Sequence, residues 1–154
     1  MKTIHQWLSE YGESHQDSTN KLIHFICVPA IYLSSMGLLW SIPFGFSSDL
    51  SWLNWASIIA VLMMIYYLTL SVKVAVGMTL FTVMGLAFIA WWQTNGVVSV
   101  LNLSIAIFVV AWIAQFYGHK IEGKKPSLFK DIQFLAIGPA WILCHLYSKL
   151  NIKY

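Results

Sequence analysis

Charge is what this sequence has least of. Asp, Glu and Lys together make up 10% of its 154 residues, and there is no arginine. An ordinary soluble domain is about 25% charged. A chain that is 58% hydrophobic and so poor in charge cannot build the polar skin of a water-soluble domain, which leaves an integral membrane protein. The net charge of +3 comes from nine lysines. No basic cluster alternates with aromatics, which sets aside a nucleic-acid partner. Cysteine is scarce as well. Cys27 and Cys144 both stand inside apolar runs and read as packing residues rather than a disulfide or redox pair. The first 20 residues are polar and lack a short apolar core, so no secretory leader is expected. The length points to a single domain, residues 1–154.

Long apolar runs are what the chain does have. Four of them, roughly 22–42, 54–72, 74–92 and 97–117, reach the ~20 residues that cross a bilayer core. Turn-like breaks separate them at "SIPFGFSSDLS", at Lys73 and at "QTNG". Tryptophans 40, 52, 55, 91 and 92 fall near span ends, as an interfacial belt would. A fifth apolar stretch, 131–147, carries Gly138-Pro139 near its middle, where proline removes a helical hydrogen bond. If that stretch dips in and returns, all nine lysines lie on one side, as the positive-inside rule prefers. The expected fold is therefore an all-α membrane bundle of four spans, with an N-terminal interfacial helix and a Gly-Pro-broken C-terminal hairpin. A plain fifth span is the alternative. Gly77 and Gly85 read as helix-packing residues.

This topology brings His15, His24, His119 and His145 to one membrane face; His5 is expected to be an interfacial anchor. Gln115, His119 and Glu122 follow i, i+4, i+7 and share one stripe, while Tyr11–His15 and Asn20–His24 are i, i+4 pairs. His15 and His24 would point to opposite faces of one continuous helix. The intervening "QDSTN" is rich in N-cap residues, so a break is expected there. Imidazoles gathered from several helices suit iron, zinc or copper. Glu122 is open to three roles: a ligand, a cap, or an ion pair with Lys120 or Lys125.

"Y-x3-H" at Tyr11 and His15, "N-x3-H-x4-P" at Asn20, His24 and Pro29, and "W-x2-QF-x-GH-x2-E-x3-P-x-L" from Trp112 to Leu128 resemble the yeast-type 2-hydroxy-fatty-acid dioxygenases. So does "Q-x5-P" at Gln133 and Pro139. The resemblance implies an Fe²⁺-dependent α-oxidation, in which O₂ and a 2-hydroxy fatty acid give the acid one carbon shorter. By position it implies His15, His24 and His119 as catalytic iron ligands. His145 is a fourth candidate, standing where members often carry an acidic residue. Tyr11, Asn20, Gln115 and Glu122 are expected to orient the imidazoles or meet substrate. Without arginine, Lys21, Lys120 or Lys124 would face the substrate carboxylate as point charges. The expected setting is a bacterial inner membrane or the endoplasmic reticulum, with the metal site and both termini on the cytoplasmic side. The competing readings are a haem-binding electron carrier and a non-enzymatic membrane scaffold.

Overall fold

The computed structural model describes residues 2–45, 52–123 and 128–154, the side chains of 128–133 excepted. Among the described residues the chain is all-helical: α1 (Ile4–Gly12), α2 (Ser18–Trp40), α3 (Trp55–Leu70), α4 (Val72–Asn95), α5 (Val100–Glu122) and α6 (Leu128–Lys149). Each of the first five opens on a polar residue in extended conformation. Its side chain accepts from backbone N–H groups that the first helical turn leaves over. These residues are Thr3, Asp17, Asn54, Ser71 and Ser99. A handful of small polar side chains thus punctuates a nearly continuous apolar sequence. The break expected at Lys73 falls at Ser71, which ends α3 and caps α4, so Lys73 is already helical.

Three helices, α2, α4 and α5, are long and apolar enough to cross a membrane. α3 has 16 residues, roughly 24 Å at 1.5 Å per residue, short of a hydrocarbon core of about 30 Å. α2 and α5 form an antiparallel central pair: Gly37 lies against Ser104 near one end and Asn20 against Gly118 at the other. α4 runs parallel to α2, joined to it by Tyr32 Oη and Thr82 Oγ1 at 2.8 Å and by Trp40 Nε1 donating to Gln93. Gly85 admits Leu33, and Gly77 admits Tyr147 and Leu143. Leu80, Met84 and Phe88 on α4 and Val110, Ile113 and Phe116 on α5 remain exposed, an apolar surface suited to lipid. The belt tryptophans collect where α2 and α4 end and α3 begins, opposite the end described next.

The expected C-terminal hairpin is not formed. Residues 128–149 make one helix with Pro139 inside it. Pro139 has no N–H to give the carbonyl of Leu135 four residues back, yet the helix continues past it. Tyr67 of α3, fully buried, donates its hydroxyl to the carbonyl of Ala136 at 2.5 Å. Both ends of α6 lie at the same end of the bundle. It starts shortly after α5 finishes, and Tyr147 near its C-terminus donates to the carbonyl of Lys73 at the start of α4. α6 therefore lies across this end without crossing, and it carries α1 on it. The described lysines remain together, as the hairpin would have kept them.

Candidate metal centre

The turn between α1 and α2 builds one side of the site. α1 stops at Gly12 and α2 starts at Ser18, with Asp17 accepting from the N–H groups of Thr19 and Asn20. This is the break that "QDSTN" calls for, and it resolves the phase conflict: His15 sits in the reversal and His24 two turns into α2. His119 arrives from the last turn of α5. The three imidazoles meet with ring centroids 4.2 Å (His15–His24), 4.9 Å (His24–His119) and 5.5 Å (His15–His119) apart. One nitrogen from each lies within 4.8 Å of the others.

Two of the rings have a fixed tautomer. His15 Nδ1 is 2.6 Å from the carbonyl of Tyr11, and His24 Nδ1 is 2.9 Å from the carbonyl of Asn20. A carbonyl only accepts, so each Nδ1 carries the proton and each Nε2 keeps its lone pair. The Tyr11 carbonyl belongs to the last turn of α1, which has acceptors to spare. The Tyr11 ring also stacks on His15 at 4.2 Å and 10°. His15 Nε2 is buried without a hydrogen-bond partner, a costly state for a lone pair unless a cation meets it. Burial pushes the His15 imidazole down to about 4. Neighbouring His119 and Lys21 push the same way, against the Tyr11 carbonyl and Glu122. At neutral pH it is an uncharged donor. Three imidazole nitrogens from three segments, two of them oriented by backbone carbonyls, are a donor set that fits a divalent transition metal.

The remaining predicted residues divide. Glu122 is not among the three clustered groups and forms no ion pair with Lys120; Lys125 lies outside the described residues. Its carboxylate instead accepts from the backbone N–H of Gln16 (2.8 Å) and Asp17 (2.9 Å) and from Asn20 Nδ2 (3.1 Å). Asn20 Nδ2 also donates to the Ser14 carbonyl at 3.2 Å. Gln115 is buried one turn from His119, its Nε2 without a partner. His145 does not join the group. It is exposed, packed on Trp141 and Phe25, because the unbroken α6 turns it outward. Lys21 is half-buried and Lys120 exposed; Lys124 lies outside the described residues. Sequence reasoning missed Trp141, whose ring lies 5.8 Å from His15 and 5.4 Å from Tyr11. It gave no role to Gly118, which it quoted only as part of the motif around His119.

The chain is 28% identical over 147 residues to the 2-hydroxy-palmitic acid dioxygenase MPO1 of Saccharomyces cerevisiae, covering 94% of this chain and 79% of the yeast protein. No solved structure matches. Residues 1–150 match a family described as 2-hydroxy-palmitic acid dioxygenase Mpo1-like. With a match of that extent, the chain belongs to the Mpo1-like family.

Proposed function

We propose that this protein is a membrane-embedded, Fe²⁺-dependent dioxygenase that shortens 2-hydroxy fatty acids by one carbon. The observation that carries the reading is the meeting of three imidazoles from the α1–α2 turn, α2 and α5 at one end of an apolar bundle. The name of the yeast relative supports the substrate class. The balanced reaction is RCH(OH)COOH + O₂ → RCOOH + CO₂ + H₂O. The C1–C2 bond breaks, C1 leaves as CO₂, C2 rises to the carboxyl level, and O₂ takes up the four electrons released. No further reductant is needed.

His15, His24 and His119 would hold the iron. When bound, ferrous iron supplies the one-electron chemistry that lets O₂ react with a closed-shell acid. The chain's own residues do the rest. The Tyr11 and Asn20 carbonyls keep two imidazoles in the ligating tautomer. The exposed faces of α4 and α5 leave the alkyl tail in lipid, while Lys21 and Lys120 sit at the same end as the histidines to attract the carboxylate. Gln115 offers a buried amide to a substrate oxygen. We place this end at the cytoplasmic face, where the lysines gather. A haem carrier fits less well: the rings contact one another edge to face, leaving no slot for a planar macrocycle between any two.

The test is metal analysis of anaerobically purified protein, coupled to O₂ uptake with a 2-hydroxy C16 acid. Iron near one per chain and uptake dependent on the 2-hydroxyl are expected. His119→Ala abolishes both iron retention and uptake; full iron occupancy in that variant removes His119 from the ligand set.

A further inference from the structure

The geometry points to Glu122 as a positioning residue that works through Asn20 and Gly118 to set the spacing of the three imidazoles. It deepens the three-histidine reading and rests on it. Three facts carry it. First, the Glu122 carboxylate closes α5 onto the α1–α2 reversal by accepting from Gln16 N, Asp17 N and Asn20 Nδ2. Its partners lie 102 to 106 residues away along the chain. Gln16 is the residue after His15, Asn20 stands one turn before His24, and Glu122 follows His119 by three. One carboxylate therefore ties together all three segments that bring a ligand.

Second, Asn20 is completely buried and divides its amide N–H groups between Glu122 and the Ser14 carbonyl. Ser14 precedes His15, so the same side chain holds the reversal from within. The Asn20 carbonyl also receives His24 Nδ1–H, which couples the clamp to a second ring. Third, Gly118 leaves room for this arrangement. A Cβ at position 118 would lie 2.4 Å from Asn20 Oδ1 and 3.4 Å from Ile23 Cδ1. Any larger residue there must displace the amide that joins the segments.

A carboxylate is the only side chain of this length that can accept from three N–H groups without offering a proton in return. Glu122→Gln keeps the shape but turns an N–H₂ toward those donors. The clamp should then open, and His15 should drift from His24 and His119. Groups that orient metal ligands typically affect affinity by about 10- to 100-fold.

The experiment uses the full chain in detergent, stripped of metal and titrated with Co²⁺, whose visible ligand-field bands report the donor set. Glu122→Gln and Gly118→Ala are compared with wild type and His119→Ala. Support is a roughly 10- to 100-fold weaker Co²⁺ affinity in both variants, with displaced bands that a distant packing defect would not produce. Wild-type affinity and bands in either variant overturn the clamp. So does a loss in Glu122→Gln as complete as in His119→Ala, because that would make Glu122 a ligand. If Glu122→Gln fails to fold, Gly118→Ala decides alone, since it leaves every charge in place. Co²⁺ binding by His119→Ala equal to wild type would sink the three-histidine reading itself, a result separate from either failure of the clamp.

Discussion

At His15 four contacts fix one ring: a carbonyl on Nδ1, the Tyr11 face stacked on it, and two other imidazoles packed edge to face. Its depressed basicity has a measurable consequence. The unfolded chain takes up a proton on this residue below about 6.5, whereas the folded chain holds off until about 4. Between those values the folded state binds fewer protons, so the metal-free protein should lose stability as pH falls from 6.5 toward 4. Chemical unfolding in mild detergent across that window checks it, and His15→Phe should make the dependence shallower without abolishing it. Gln115 presents the opposite trade. Its partnerless amide costs stability, so Gln115→Met should stabilise the metal-free protein by roughly 1 kcal/mol. Uptake of O₂ should nevertheless fall about tenfold or more. A variant that is both more stable and fully active would show that the amide has no part in turnover.

The helices show what apolar run length can and cannot tell. α2, α4 and α5 were legible because little else forms from some twenty apolar residues between polar caps. α6 was not, because a proline in an apolar run can end a helix or stay inside it, and the packing of α6 on α1, α2 and α4 is not a local pattern. Tyr67→Phe removes the hydroxyl that ties α3 to the Ala136 carbonyl of α6 and should cost about 1–3 kcal/mol, read as a lower unfolding midpoint with α6 exchanging amide hydrogen first. The site divides in the same way. The break between His15 and His24 was legible in the cap-rich "QDSTN", and the topology brought His15, His24 and His119 to one end, but choosing them as a ligand set took the family resemblance. His145 was placed at the correct end of the bundle, but only the rotation of a continuous α6 decides that it faces away. Glu122 was on the expected stripe, yet two of its three partners are backbone N–H groups, which carry no residue signature.

For the whole molecule, the distribution of charge matters more than its amount. The described lysines stand at the end that holds the imidazoles, and the opposite end is marked by tryptophan. An anionic amphiphile in the membrane would be drawn to the first end and not the second. Lys120→Gln should therefore raise KM for a 2-hydroxy acid a few-fold with little change in kcat, and the difference should vanish in high salt. Equal KM values at low salt would remove Lys120 from substrate capture. The order of the ligands along the chain adds a constraint on biosynthesis. His15 and His24 leave the ribosome early, whereas His119 follows only after α3 and α4 have been made. A nascent chain thus carries two of the three imidazoles for most of its synthesis, and the group is complete only once α5 has docked.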